Sequence, residues 1–356
     1  MVAQYAKLII IPYEIYLMNY YVRRIGQAII TLFSVITITF VLYRLMPGGP
    51  LEVMREQMIQ DAVQQGQSVN IGQVNRIIEL RTNVDPDQPI HVAYYQYLVD
   101  IIVYQDFGES IWRREPVFDI LFRAMPWSIF ISVYSLLIGF TANILLGAVM
   151  AYKEGSYFDN VGSIGATFLN SVPYYVGAIL MLSFLGFQLE LFPTRGRYDP
   201  NTVPGFNVYF MASVVHHSIL PIASGIIVGF GGTALSMRGN CIRVIGENYL
   251  HVARLRGISD NRIALRYVGR NAILPLYTRF MLGIAAIFSS SIIMEQIFTY
   301  PGIGWYTFEA LTQRDYPLLM GLLIFFSTIT IVGILIADLT YGVVDPRAGT
   351  SDREAY

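Results

Sequence analysis

Lysine is almost missing from this 356-residue sequence, which carries only Lys7 and Lys153. A phosphate-binding loop of the ATPase kind needs a glycine-rich turn that ends in a lysine reaching the terminal phosphates. Neither lysine can finish one, because Met150-Ala151-Tyr152 precedes Lys153 and Ala3-Gln4-Tyr5-Ala6 precedes Lys7. No catalytic residue and no cofactor is expected on this chain. Cysteine is nearly missing too: Cys241 stands alone, so no internal disulfide can form, and no cysteine or histidine cluster shows metal-ligand spacing. The neighbouring His216 and His217 would point about 100° apart on a helix, which suits interfacial capping and hydrogen bonding better than one shared ligand. Charge is scarce as well, at 14% of residues against about 25% in ordinary soluble domains. With 54% hydrophobic residues and a net charge of -1, the chain belongs in lipid and offers no global basic field to nucleic acid.

What is present is a set of long apolar runs. A helix needs about 20 mostly apolar residues to cross the roughly 30 Å hydrocarbon core. Six windows qualify: Ile25–Met46, Ser128–Met150, Ile164–Phe187, Ile219–Met237, Ala272–Met294 and Leu318–Ala337. No repeat relates the first three to the last three. Before them, the short apolar run Leu8–Ile11 is cut off by Pro12 and Glu14, too early for a signal-peptide core, so Met1–Tyr21 reads as uncleaved. Its tyrosines at 5, 13, 16, 20 and 21 suit an interfacial segment, and a loosely ordered lead-in fits equally.

Arginine and lysine concentrate on the cytoplasmic side of short loops. With the amino terminus inside, the inner segments hold Lys7, Arg23, Arg24, Lys153 and the basic residues at 238, 243, 254, 256, 262, 266, 270, 347 and 353, whereas the short outer loops hold only Arg195, Arg197 and Arg314. Both termini are then cytoplasmic. The resulting order is a leader over 1–22, a first transmembrane helix over 23–46, an external cap region over 47–125, a five-helix core over 126–340 with an inner loop over 238–271, and a tail over 341–356.

The cap region opens at Pro47-Gly48-Gly49-Pro50, which stops the first helix. Helical periodicity follows in Leu51, Met54, Met58 and Val63, and a second amphipathic run, Val92 to Val103, carries Tyr94, Tyr95 and Tyr97. A small cap that meets a soluble partner and a loop packed on its own helices both fit this pattern. Within the apolar windows, Asn143 and Asn170 are candidates for lining a polar pathway, because lipid leaves an amide unsatisfied unless it faces protein or water. Hydrogen bonding between helices is the competing reading. Arg279 lies close enough to the inner surface to snorkel, Asp338 lies near the inner end of the last window, and Glu295 follows the fifth window at the outer face, where a carboxylate can stay hydrated.

The longest inner loop, Arg238 to Asn271, holds two short helical patterns around Gly257-Ile258-Ser259-Asp260. Glycine permits a tight turn there, and Ser259 or Asp260 can cap the next helix, so a helical hairpin is expected. Asn248, Tyr249, Leu250, Ala253, Arg254 and Gly257, then Arg270-Asn271-Ala272 and Leu274-Pro275, resemble the EAA loop of ABC importer permeases of the dipeptide, oligopeptide and nickel family. Asn248 stands where that pattern has aspartate, with Glu247 beside it. Further matches fall in the family's order: Arg44-Leu45-Met46-Pro47-Gly48, Asp106-Phe107-Gly108-Glu109-Ser110, Ser171-Val172-Pro173, Leu191-Phe192-Pro193-Thr194, Tyr300-Pro301-Gly302-Ile303-Gly304, Arg314-Asp315-Tyr316-Pro317 and Asp345-Pro346-Arg347. Each string is weak alone, and their order and spacing make the match. It covers the chain from Tyr21 onward and is similar to the first permease of the pair, except for a longer stretch over 51–80.

The resemblance implies an all-α membrane protein of six transmembrane helices, the type I ABC importer permease fold, with an external cap between helices 1 and 2. It implies a second homologous permease subunit, two cytoplasmic ATPase subunits that use ATP and magnesium, and an external solute-binding protein, in the cell membrane of a bacterium or archaeon. Residues Glu247, Asn248, Tyr249, Leu250, Ala253, Arg254, Leu255, Gly257 and Asp260 would then form the loop that couples to the ATPases, with Tyr249, Leu250 and Leu255 as its apolar contacts. Peptides are the expected cargo, and oligosaccharides or nickel are alternatives. An ion-coupled carrier should show inverted repeats and charged midplane ligands, neither of which is clear here, and a membrane scaffold or sensor would not need the hairpin.

Overall fold

A computed structural model of the chain describes residues 2–45, 50–66, 70–82, 88–259, 262–286 and 292–344. The architecture is all-helical. In chain order the helices are α1 (Val2–Leu45), α2 (Pro50–Gln64), α3 (Ile71–Thr82), α4 (Ile90–Val99), α5 (Val117–Tyr152), α6 (Tyr157–Ser171), α7 (Tyr174–Met181), α8 (Val208–Ile245), α9 (Asn248–Leu255), α10 (Arg270–Ala286), α11 (Ile292–Ile297), α12 (Ile303–Gln313) and α13 (Tyr316–Val344). Short π-helical segments extend α4 and α7 and lead into α10. Among the described residues no β-strand forms, only one antiparallel bridge between Glu109 and Pro116.

Among the described residues four stretches are long and apolar enough to cross a membrane: Val22–Leu42, Val117–Tyr152, Val208–Ile227 and Tyr316–Ile336. They correspond to the first, second, fourth and sixth windows of the sequence. The third window is broken, since α6 and the helical segment from Tyr174 to Gln188 meet at 101°. Proline disfavours the helical conformation in the residue before it, and Val172 accordingly sits extended at φ -78° and ψ 124° ahead of Pro173. The fifth window includes residues 287–291, which lie outside the described residues, and α10 and α11 are the helices on either side.

Two expected boundaries move. The leader is not separate from the first span, because α1 is a single helix of 44 residues and Pro12 costs one backbone donor without ending it. The second long helix starts at Val117 rather than near 126. Val117, Ile120, Leu121 and Ala124, all 0% exposed, give that early stretch its own buried face.

The chain forms two compact units rather than serial segments. One comprises residues 1–123 and 309–356, the other residues 124–308, and α5 and α12 run from one into the other. In the first unit, α1 lies along α13, and α2, α3 and α4 pack over them through Ile36, Phe40, Met54, Ile78, Tyr97 and Ile324. Leu51, Met54 and Met58 turn inward as their spacing requires, whereas Val63 is exposed. Of the three tyrosines, Tyr97 is buried against Phe40, Tyr94 bonds its hydroxyl to Thr37 Oγ1 at 2.7 Å, and Tyr95 faces outward. The cap therefore packs on its own helices.

The Asp106–Ser110 motif forms the turn that joins this cap to α5. Gly108 has φ +84°, and a Cβ there would stand 2.2 Å from the carbonyl oxygen of Arg81, so only glycine lets the two backbones approach. Beside the turn, burial and the neighbouring Asp106 charge raise the Asp100 carboxyl above its ordinary range.

Candidate functional site

The loop over 238–271 folds as a hairpin. α8 continues to Ile245, the chain turns at Gly246, and α9 begins at Asn248 with Glu247 as its N-cap residue, in extended conformation but without a side-chain cap. At its other end the Ile258 amide donates to Ala253 O at 3.3 Å and the Gly257 amide to Arg254 O at 2.9 Å. These two bonds close a Schellman motif, whose first residue past the cap must be left-handed. Gly257 fills it at φ +70°, and a Cβ there would meet nothing within 4 Å. The turn thus needs glycine for its backbone, not for space. Arg262 and Ile263 donate their amides to Ser259 O, which starts the return helix, while Asp260 lies outside the described residues.

α9 is strongly two-faced. Leu250 and Ala253 are 1% and 5% exposed and join Met237, Cys241, Val244, Ile263 and Ala272 in one core cluster. That cluster also takes Ile144 and Ala148 from α5, so the hairpin is seated on three long helices at once. Asn240 Nδ2 donates to Ala272 O at 3.2 Å, tying α8 to α10, and Asn271 Nδ2 donates to the Tyr249 hydroxyl at 3.1 Å. Val252 and Leu255 face away from the chain, the latter 76% exposed, and Tyr249 is partly exposed beside them while its hydroxyl holds Asn271, with Asn248, Arg254 and Glu247 around them. This divides the expected contact set: Leu250 belongs to the seat, and Tyr249 and Leu255 belong to the free face.

The long helices below the hairpin are in backbone contact. A Cβ at Gly147 of α5 would stand 2.3 Å from Ala234 O of α8, and one at Gly231 of α8 would stand 1.7 Å from Ala166 O of α6. Next to that crossing, the Arg238 guanidinium pairs with Asp159, Nη2 to Oδ2 at 2.7 Å. The carboxylate is 1% exposed and also accepts the Gly155 amide at 3.0 Å. Arg279 does not simply snorkel, since its Nη1 donates to Ser236 Oγ at 2.9 Å. A displacement of α9 cannot stay local in such a unit.

Glu295 contradicts the sequence reading that it stays hydrated. It is 1% exposed, accepting Ser128 Oγ at 2.6 Å and the Trp305 amide at 2.9 Å. Ser128 Oγ in turn accepts the Ile303 amide at 2.8 Å, so serine and glutamate together receive the first free amides of α12. A Cβ at Gly302 would overlap both groups, which explains the glycine in Tyr300-Pro301-Gly302-Ile303-Gly304. Helical periodicity could not reveal this latch, because its two partners are 167 residues apart. The histidines make hydrogen bonds: His217 Nδ1 lies 2.8 Å from Ser213 O and His216 Nε2 3.3 Å from Leu191 O.

The two asparagines differ in setting. Asn143 is 4% exposed, and its Nδ2 bonds Gly139 O of its own helix at 2.7 Å while its Oδ1 has no partner among the described residues. Asn170 is exposed in the last turn of α6, at the break before Pro173.

Several apolar helices of membrane-crossing length mark a multi-pass membrane protein, and a two-faced hairpin is seated on its α5, α8 and α10. The model of binding-protein-dependent transport system inner membrane components matches residues 143–350, and the model of the amino-terminal region of such membrane components matches residues 17–132. Similar proteins include the oligopeptide transport system permease protein AppB of Bacillus subtilis, 30% identical over 92% of this chain and 98% of that protein. The dipeptide transport system permease protein DppB of the same organism is 29% identical over 92% and 97%, and the di/tripeptide permease DppB of Pseudomonas aeruginosa 27% over 93% and 98%. The chain belongs to the binding-protein-dependent transport system inner membrane component family. It is a permease subunit of an ABC importer, and ATP is hydrolysed by separate subunits.

Proposed function

We propose that the chain forms half of the translocation route for di- and oligopeptides, which an external solute-binding protein delivers to it. A second, homologous permease completes the route, and two cytoplasmic ATPases bind beneath the pair with ATP and magnesium. The carrying observation is α9, whose inner face locks into the core of three long helices while Tyr249, Val252 and Leu255 stay uncovered. An apolar helix face of that kind fits a hydrophobic groove on a partner. Arg254 and Arg256 beside it can meet acidic groups there. ATP-driven closure of the ATPases then shifts the hairpin, and the close-packed α5, α6 and α8 carry the shift to the route. Both termini and Gly257 lie in the cytoplasm and the cap outside, a reading that the arginine distribution supports. The peptide cargo rests on the names of the similar permeases.

Reconstituting the permease pair, both ATPases and the binding protein in liposomes tests this directly. Labelled di- or tripeptide should enter only with ATP and with every component present. Uptake by the permeases alone under an ion gradient, or no peptide uptake by the full complex, would overturn it.

A further inference from the structure

α6 has three faces. Asp159 and Ala166 are buried against the chain, while Phe158, Val161, Ile164 and Phe168 form an apolar face that is 42–71% exposed and suited to lipid. Between them, at steps of three and four residues, run Asn160, Ser163, Thr167, Asn170 and Ser171, most of them exposed. At 100° per residue this polar stripe fills about 100° of the helix between the other two faces, with Asn170 on the edge next to Asp159 and Ser171 on the edge next to Ile164, and at 1.5 Å per residue it is about 16 Å long, or half of the hydrocarbon core.

Most of its groups are already satisfied. Thr167 Oγ1 bonds Ser163 O at 2.8 Å, Ser171 Oγ bonds Thr167 O at 2.9 Å, and Ser163 Oγ reaches Asp159 Oδ1 at 3.4 Å. Such back-bonded hydroxyls can sit in lipid. Asn170 is different. Among the described residues its amide has no hydrogen-bond partner, and it stands at the Val172–Pro173 break, where no continuing helix covers the last carbonyls of α6. Opposite it α8 presents Gly232, where a Cβ would stand 3.0 Å from Asn170 Oδ1, so no α8 side chain at that position screens the amide. Lipid has no partner for an exposed amide or for an interrupted helix end, and both are tolerated at membrane depth only where they line water or face protein.

The geometry points to the α6 stripe as a wall of the aqueous translocation route, with Asn170 as the group that hydrogen-bonds the main chain of a passing peptide. An extended peptide alternates N–H donors and C=O acceptors, and an uncharged side chain that both donates and accepts can serve either. It would do so without regard to the peptide's side chains. The peptide half of this inference rests on the function proposed above, whereas the wall does not.

Single cysteines test the wall in a Cys241→Ser background. In the assembled transporter in membranes, Thr167→Cys and Asn170→Cys should react with a charged, water-soluble methanethiosulfonate at least ten times faster than Ile164→Cys and Phe168→Cys, with reagent on both sides. Equal rates, or faster reaction on the apolar face, overturn the wall. For the peptide contact, Asn170→Leu should lower tripeptide uptake about tenfold at equal membrane content, and Asn170→Gln should keep most of it. Wild-type uptake by Asn170→Leu would overturn the contact. If the unmodified complex carries no peptide, the cargo reading and the contact fall together, while the labelling rates still decide the wall.

Discussion

Ser110 Oγ donates to Asp315 Oδ2, joining two loop residues 205 positions apart. Both are buried, at 0% and 1% exposure, and the same carboxylate accepts the Trp112 amide at 3.2 Å while its other oxygen accepts the Leu318 amide at 3.3 Å. Asp315 therefore caps α13 and also holds the turn that leads from the cap to α5. A second tie lies alongside, where Arg113 pairs with Glu309 at 2.9 Å. Removing one partner of a buried hydrogen bond costs about 1–3 kcal/mol. Ser110→Ala should cost about that much, lower the thermal midpoint of the purified complex and speed protease cutting within the cap. An unchanged midpoint and cutting rate would show that the bond is dispensable.

On α9, position rather than polarity should decide what a charge does. Leu255→Asp alters an exposed side chain, so the chain should fold and insert normally while the purified permease pair loses its ATPases and uptake falls at least tenfold. Ala253→Glu instead forces a charge into the seat of the hairpin, so stability should fall along with uptake. Gly257→Ala carries only the cost of a left-handed alanine, about 1 kcal/mol. Comparing ATPase retention with thermal midpoint across the three variants checks the assignment, and a Leu255→Asp complex with full ATPase content would sink it.

Gly231→Ala is the severest small change that the packing predicts. The added carbon would overlap the Ala166 carbonyl, a backbone atom that cannot swing away. Overpacking a filled site costs about 1–3 kcal/mol or more, and here it must spread α6 from α8 beside Asp159 and Arg238. Gly239→Ala, on the same helix but with open space around it, is the control and should be neutral or slightly stabilising. Melting curves of the two purified complexes decide the matter.

Topology has a simple assay in the Cys241→Ser background. Tyr95→Cys, on the exposed side of the cap, should react with an impermeant maleimide added outside intact cells. Leu255→Cys should react only after the membrane is opened. The opposite pattern would reverse the orientation.

Much of the fold was legible from residues alone. Long apolar windows mark helices because lipid leaves no other way to satisfy the backbone, and the turn at Gly257 was readable because a glycine between two helical patterns has few other uses. The break at Val172–Pro173 was visible as a motif, yet its 101° bend was not, since proline predicts an interruption and packing sets the angle. α9 shows the same limit: its residues read as amphipathic, but the division of Leu250 inward and Leu255 outward depended on where α5, α8 and α10 come together.

Composition, hydropathy and local punctuation determined by themselves that this chain enters a membrane as helices, holds no phosphate loop and carries a two-helix hairpin, because each follows from forces acting within about 20 residues of chain. Only the tertiary structure decided that Glu295 is buried under Ser128, that Asp159 meets Arg238 and that Ser110 meets Asp315. Those pairs lie 79 to 205 residues apart. No local preference selects such partners; the helix packing that brings them within 3 Å also removes the water that would otherwise satisfy them singly.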